Sequence, residues 1–447
     1  MTGVSMGDPT DGLDGWVLRP GDHGYDDARA AWNGMVDHRP RMIIKCASVN
    51  DVVAAVRIAR EAGLEIGVRC GGHAALGPAV PENGLLIDLR PLHGVQVDPA
   101  RRTAIVKGGT LLGAVDRGSL PHGLVTTTGS VSHTGVGGFT LGGGMGWLAR
   151  QYGLACDNVL SFEVVTAAGQ VVRASRTEHP ELYWGLRGGG GNFGVVTEFE
   201  FRLHEVDPRA LVAELTFPLD AGLAVLRGWR DLNAMAPRQA TFTASVSGAE
   251  VTVGYVWVGE PDQGKGLVPE LRGLGRPVRE RVFEPTYREL QTMDDEADRH
   301  GLRQYSKDHY LSAFPDAAIE AFLARGSENG SGAGLPGGWL EAYGGAIAEV
   351  PDEETAFGHR QTLLEFGVRS SWTDPAEDAD RIAVTKQVAA ALEPFADGVY
   401  VNMLSDDGTD GVRRAYPPAK LARLAEVKRA YDPDNVFHLN QNIKPAP

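Results

Sequence analysis

The chain has 447 residues, 43% of them hydrophobic, and a formal net charge of −15. At roughly 150 residues per domain this length indicates two or three domains, and the composition is ordinary for a soluble globular protein. The acidic balance disfavours nucleic-acid binding, because phosphates would be repelled. No apolar run approaches the ~18 to 20 residues of a membrane span, so no membrane contact is expected.

The N-terminus and the cysteines indicate the compartment. The segment Met1–Trp16 has neither the basic nor the apolar region of a signal peptide, so we expect a cytoplasmic protein. Cys46, Cys70 and Cys156 are too few and too scattered for a disulfide framework or a zinc site. We therefore predict reduced thiols and no metal site.

The first third of the chain alternates helix and strand. The segment Ser48–Ala62 is amphipathic at helical spacing, and Ser48 is a good N-cap. The strand predicted at Ile66–Arg69 runs into the loop Cys70–His73. Further strands are predicted at Leu85–Leu89 and, as a hairpin, at Val95–Asp98 and Thr103–Val106. This pattern is typical of an α+β fold.

The middle of the chain is rich in glycine. The whole sequence has 58 glycines, well above the ~7% average, and they cluster between residues 70 and 194 with apolar residues interleaved. Such clusters indicate close approach of the backbone to a ligand. The strands predicted next, Val159–Thr166, Val171–Ala174 and Val195–Leu203, belong to one antiparallel sheet.

The composition changes near residue 207. From there to about residue 394 the glycine clusters give way to alternating strands, such as Thr241–Val246 and Glu250–Trp257, and to amphipathic helices at Asp316–Ala324 and Ala379–Leu392. We place a second domain there. The predicted organisation is an N-terminal extension (1–38), a first domain (39–206), a second domain (207–394) and a C-terminal segment (395–447).

The glycine clusters do not match the common phosphate-binding motifs. The run Gly135–Thr140 lacks the last glycine of G-x-G-x-x-G, and no glycine run is followed by the Lys-Ser/Thr of a P-loop. A phosphate-bearing cofactor would therefore sit in loops that offer bare amide donors.

The motifs together resemble a known family. The loop Val68–His73 is similar to the R-x-G-G-H loop of the berberine-bridge-enzyme-like FAD-linked oxidases, in the vanillyl-alcohol-oxidase superfamily. Further matches follow in the same order, at Gly135–Trp147, Tyr152–Asn158, Leu182–Glu198, Tyr431–Phe437 and Asn440–Pro445. The resemblance implies a PCMH-type FAD-binding domain of two α+β subdomains, a substrate domain whose antiparallel sheet is covered by helices, and a C-terminal segment that returns to the FAD domain.

The resemblance implies one covalent bond to FAD, through His73. A neutral imidazole is a nucleophile, and the 8α-methyl group of oxidised flavin can become electrophilic. Many relatives have a second bond, through a cysteine at the position that Val131 occupies here. We therefore predict a single covalent bond.

Other cofactor contacts follow from the same resemblance. Arg69 is expected to give the pyrophosphate a charge, and the small side chain of Thr134 to leave room for O2 near the reactive flavin carbon. The remaining predicted FAD contacts are Cys70, Gly71, Gly72, Gly135, Gly137, Gly138, Gly142, Gly143, Gly194, Val196, Asn440 and Asn442.

The catalytic base is harder to assign. Where the family often has Tyr-x-Asn-Tyr/Phe, this chain has Tyr400, Asn402 and then Met403, which cannot move a proton. Tyr400 would need a lowered pKa to act as a base. The candidates are Tyr400, Asn402, Tyr343 and Glu341, with His133 and Tyr310 as alternatives, and Trp339, Trp372, Phe357 and Tyr343 could form aromatic walls.

The implied reaction is hydride transfer from a small alcohol, amine or secondary metabolite to FAD, followed by reoxidation by O2 to H2O2. A flavin dehydrogenase, an oxidative cyclase of secondary metabolism and a flavoprotein that sequesters a drug remain open. Monomer and homodimer are both compatible with the sequence.

Overall fold

The computed structural model describes residues 10–329, 332 and 334–447. The described residues form an α+β structure with three main sheets, as predicted. Residues 1–9 of the N-terminal extension lie outside this description. No helix in the described part of the chain combines the length and the apolar composition needed to cross a membrane.

The first sheet has four strands, in the spatial order Trp16–Leu18, Met42–Lys45, Leu85–Asp88 and Ile66–Arg69. The last three are parallel, and the first is antiparallel to its neighbour. The helix Val49–Ala62 lies between two of these strands in sequence and buries Val52, Ala55 and Val56. Its predicted N-cap is confirmed, because the Ser48 hydroxyl accepts from the Asp51 amide at 3.2 Å.

The second sheet has five antiparallel strands, in the order Val95–Asp98, Thr103–Lys107, Val195–Arg202, Val159–Val165 and Val171–Ser175. The predicted antiparallel sheet is therefore confirmed, and the predicted hairpin forms its other edge. A small pair, Leu124–Val125 with His204–Glu205, lies beside it.

The third sheet has seven antiparallel strands. Their order is Arg279–Phe283, Ala210–Pro218, Glu250–Val258, Ala240–Ser247, Gly338–Ala342, Leu364–Trp372 and Arg303–Leu311. The helices Gly222–Ala234, Asp316–Ala324 and Asp378–Ala390 contribute Trp229, Phe322 and Val388 to the apolar core on one face. The opposite face carries polar side chains towards the glycine-rich loops.

The described residues form eleven further α-helices. They are Tyr25–Arg29, Leu112–Ser119, Val136–Leu141, Ala149–Tyr152, Pro180–Leu186, Pro261–Gly264, Val268–Arg272, Tyr287–Leu290, Ala346–Glu349, Gly408–Ala415 and Pro418–Tyr431.

The C-terminal residues pack against the first two sheets. The Lys428 ammonium is fully buried, pairs with Asp432 at 2.6 Å and donates to the Asn192 and Phe437 carbonyls at 2.7 and 2.8 Å. Phe437 itself belongs to the core under the helix Val49–Ala62. The chain thus crosses the seven-stranded sheet and then returns to the glycine-rich half.

Candidate active site

Two adjoining cavities lie where the glycine-rich loops, the seven-stranded sheet and the C-terminal segment meet. The smaller cavity, about 320 Å³, lies among the glycine-rich loops, and the larger, about 540 Å³, lies against the polar face of the sheet. Ala75 and Asn402 line both cavities, so the two spaces share part of their wall. Each volume is typical of a ligand pocket.

The smaller cavity offers accessible backbone at several glycines, between apolar side chains such as Val68 and Leu141. A Cβ atom added to Gly138 or Gly191 would meet no atom within 4 Å, so a ligand can approach the main chain there. The side-chain amide oxygen of Asn440, in the wall of this cavity, is buried and has no hydrogen-bond partner within the described chain. An unsatisfied buried acceptor is costly, and a ligand hydroxyl or N–H would satisfy it. These features fit a dinucleotide such as FAD.

The two glycine motifs touch each other. A Cβ on Gly71 would lie 2.3 Å from the Gly135 amide nitrogen, so neither loop tolerates a side chain at this contact. The contact places Cys70 in the wall of the smaller cavity, where burial raises the pKa of its thiol to about 11. A protonated thiol is a poor nucleophile, which argues against a cysteinyl bond.

Apart from His73 and Arg69, the predicted cofactor residues divide into those that line the smaller cavity and those that line neither cavity. Cys70, Gly137, Gly138, Gly194, Val196 and Asn440 line the smaller cavity. Gly71, Gly72, Thr134, Gly135, Gly142, Gly143 and Asn442 line neither cavity. A Cβ on Gly142 would lie 2.0 Å from the Asn402 amide oxygen, and one on Gly143, where φ is +132°, would lie 2.8 Å from the Phe357 ring. These two glycines make room for side chains instead of contacting the cavities.

The structure corrects the expectations for Arg69 and Thr134. Arg69 is 1% exposed, pairs with Asp88 at 2.9 Å and donates to the Ala30 carbonyl at 3.0 Å, so its charge is neutralised inside the protein. Thr134 is held by backbone hydrogen bonds, and Val131 lines the larger cavity instead. The argument from the size of Thr134 for access of O2 therefore has no structural support.

His73 lies in the wall of the larger cavity. Its ring stacks on Trp32 with centroids 4.9 Å apart, and its Nε2 lies 2.8 Å from Nδ1 of His133, with His300 5.5 Å away between centroids. Burial, followed by the charges of His133 and His300, lowers the pKa of His73 to about 3. The imidazole is therefore neutral, as a nucleophile must be.

Tyr400 lines the larger cavity, but its surroundings do not make it a base. Its hydroxyl accepts from the Gly144 amide at 2.8 Å and from the Asn402 amide at 2.9 Å. Burial raises the pKa of Tyr400, whereas a base at neutral pH would need a lowered one. Tyr400 and Asn402 therefore shape the wall, next to the apolar Met403.

Two carboxyl groups are better placed to move a proton. Glu341 and Glu365 are directly opposite each other on neighbouring strands, and both line the larger cavity. Burial raises the pKa of Glu365 to about 7, and burial together with the Glu365 and Asp294 charges raises that of Glu341 to about 8. The sequence pointed to Glu341 but not to Glu365. The only sequence signal for Glu365 was its position as an isolated acid in the apolar run that begins at Leu364.

Most of the aromatic candidates are buried next to the residues that line the larger cavity and do not line it themselves. Tyr343 donates to Glu365 at 2.5 Å, and its hydroxyl lies 3.3 Å from that of Tyr310. Burial raises the pKa of both phenols. Of the predicted aromatic walls, Trp339 lines the larger cavity. Phe357, Trp372 and Tyr343 do not, since they are buried in packed surroundings.

Comparisons with known proteins identify the cofactor-binding domain and the family. The family model described as an FAD binding domain matches residues 40–175, and the model described as "Berberine and berberine like" matches residues 399–444. The (R)-6-hydroxynicotine oxidase of Paenarthrobacter nicotinovorans is 32% identical over 97% of each chain.

Two solved structures extend the comparison. The 6-hydroxy-D-nicotine oxidase from Arthrobacter nicotinovorans is 31% identical, with a TM-score of 0.86 over 97% of this chain and 98% of that one. A glucooligosaccharide oxidase from Acremonium strictum, whose structure was described as revealing a novel flavinylation, is 25% identical, with a TM-score of 0.87 over 97% of each chain. The chain therefore belongs to the berberine-bridge-enzyme-like family of FAD-linked oxidoreductases.

Proposed function

We propose that this FAD-dependent oxidase carries its flavin on a single covalent bond from His73 and oxidises a small organic substrate in the larger cavity. The observation that supports the bond best is the neutral His73 imidazole in the cavity wall, with a pKa lowered to about 3. Val131 lies in the same wall and cannot form a second bond. The smaller cavity, with its exposed backbone, holds the remainder of the FAD.

Each part of the site has a role in this proposal. When bound, FAD supplies the two-electron acceptor. Glu341 and Glu365, whose pKa values of about 8 and about 7 lie near neutrality, accept a proton from the substrate O–H or N–H. The Tyr343 hydroxyl holds Glu365 in place. Tyr400 and Asn402 bring the C-terminal segment against the glycine-rich loop and close one wall.

The covalent bond can be tested directly. Acid precipitation of the purified protein should leave the yellow colour in the pellet, and digestion should yield a flavin-bearing peptide that contains His73. In His73→Ala the colour should move to the supernatant. Colour that leaves the wild-type protein completely on acid precipitation would overturn the bond, and a colourless protein that does not bind added FAD would overturn the whole proposal.

Turnover is tested separately. Peroxide formation with consumption of O2, in a screen of alcohols and amines, supports an oxidase. Turnover only with an artificial electron acceptor would indicate a dehydrogenase instead.

A further inference from the structure

The wall of the larger cavity is rich in acidic groups. Its charged carboxyl and guanidinium side chains are Glu214, Asp294, Asp298, Glu341, Glu365 and Arg369. Five acids and one cation face a single space of about 540 Å³.

Two of these acids are neutralised by protein cations. Asp298 forms an ion pair with Arg369, the one guanidinium in this set. Glu214 lies 3.5 Å from Arg281 on the neighbouring strand. The charge of Arg369 also lowers the pKa of Asp294, whereas no cation of the described chain acts in this way on Glu341 or Glu365.

Three acids, Asp294, Glu341 and Glu365, are left without an ion-pair partner among the described residues. Glu365 is 6% exposed, and the Tyr343 hydroxyl that donates to it is neutral. Burial raises the pKa of all three groups, and the charges of Glu365 and Asp294 add to that of Glu341. An unpaired carboxylate in such a site is costly unless a ligand supplies the opposite charge.

A second group in the same wall also lacks a partner. Gln304 is 2% exposed, and neither its amide nitrogen nor its amide oxygen has a hydrogen-bond partner within the described chain. A buried amide normally forms hydrogen bonds. Its position in the cavity wall indicates a ligand with a polar group in addition to its charged atom.

We infer that the substrate of this oxidase is an organic cation, a protonated amine whose nitrogen binds among Asp294, Glu341 and Glu365. The inference rests on the proposed function and adds the substrate class. A neutral sugar or alcohol would leave these carboxyl groups unpaired, and an anion would be repelled.

The reaction balances with the groups present. Without ligand the raised pKa keeps Glu341 mostly protonated, and the charge of a bound ammonium lowers that pKa and favours the carboxylate. The ammonium N–H bond then breaks and its proton passes to the Glu341 carboxylate. The C–H bond next to nitrogen then breaks, its hydride passes to the flavin, and a C=N bond forms. The amine loses two electrons, for which bound FAD would be the first acceptor and O2 the final acceptor. The hydride and the proton taken up by Glu341, passed on through water, together supply the two hydrogens of H2O2.

The test uses the flavin-loaded protein and a matched pair of probes, benzylamine and benzyl alcohol. Binding is followed by the change in visible flavin absorption, so turnover is not required. We expect benzylamine to bind at least about tenfold more tightly than the alcohol, because hydrogen bonds to charged groups contribute about 1.5–3 kcal/mol. Glu341→Gln should weaken benzylamine binding about tenfold to a hundredfold and change alcohol binding less than about twofold.

Two further variants show whether a change in probe binding comes from the lost cavity charge or from a folding defect. Glu320→Gln removes an exposed carboxylate from the outer helix Asp316–Ala324 and should leave both affinities unchanged. Asp294→Asn is a second cavity variant, used if Glu341→Gln does not fold. Equal affinity for benzylamine and benzyl alcohol, or unchanged benzylamine binding in the cavity variant, would overturn the inference while a yellow acid pellet upheld the proposed function. A colourless pellet would overturn the covalent bond, and the probes would still report on noncovalently held flavin.

Discussion

Replacing Glu341 with Gln should make the stability of the protein less sensitive to alkaline pH. The pKa of Glu341 is raised from 4.5 to about 8 in the folded protein. The folded state therefore keeps a proton that the unfolded chain has lost, and the free energy of unfolding of the wild type falls as pH rises through this window. The neutral amide has no proton to lose, so the variant avoids this decrease.

The magnitude follows from the size of the shift. A shift from 4.5 to about 8 corresponds to at most about 5 kcal/mol. Water in the cavity and proton sharing with Glu365 reduce this value, so we expect about 2 kcal/mol between about pH 5 and about pH 9. With an unfolding entropy of about 2.1 cal/mol/K per residue, this corresponds to about 2 °C in Tm.

The assay is thermal unfolding of the flavin-loaded wild type and variant across this pH range. The Tm difference, variant minus wild type, should rise by about 2 °C as pH increases. Glu320→Gln, an exposed matched control, should show a constant difference. A difference that stays flat or falls with pH for Glu341→Gln would refute the argument that this carboxyl is protonated in the folded protein at neutral pH.

Three further variants test other parts of the structure. His133→Ala removes the partner 2.8 Å from His73 and should lower the acid-stable flavin fraction, measured by in-gel fluorescence. Gly138→Leu fills the smaller cavity and should lower the flavin-to-protein absorbance ratio severalfold, whereas the exposed control Gly266→Leu should not. Asp88→Asn leaves a buried guanidinium unpaired and should cost about 3 kcal/mol in denaturant unfolding. An unchanged value in any of these assays would contradict the corresponding contact.

Much of the fold could be predicted because local signals and tertiary packing agree. The capped helix Val49–Ala62 and the strands Val159–Val165 and Val195–Arg202 begin and end within a few residues of their predicted limits. The GGH loop lies at the wall of a cavity, and its Gly71 is required by a backbone contact that no other residue permits.

The limits of sequence reasoning appear where a role depends on distant neighbours. The motif suggested that Arg69 faces a phosphate, but Asp88, on the adjacent strand, turns its guanidinium inwards. Glu365 acquires its role only through the register of two strands, which places it opposite Glu341 and near Tyr343. Strand register across the seven-stranded sheet cannot be read from any single segment.

The walls of the smaller cavity come from two parts of the chain that are synthesised at different times. These parts are residues 66–196 and residues 401–441, and the entire seven-stranded sheet is translated between them. A nascent chain on the ribosome thus presents only the first part of this cavity while residues 197–400 are made. Stable flavin loading therefore waits for residues 401–441, and termination before them would release an apoprotein.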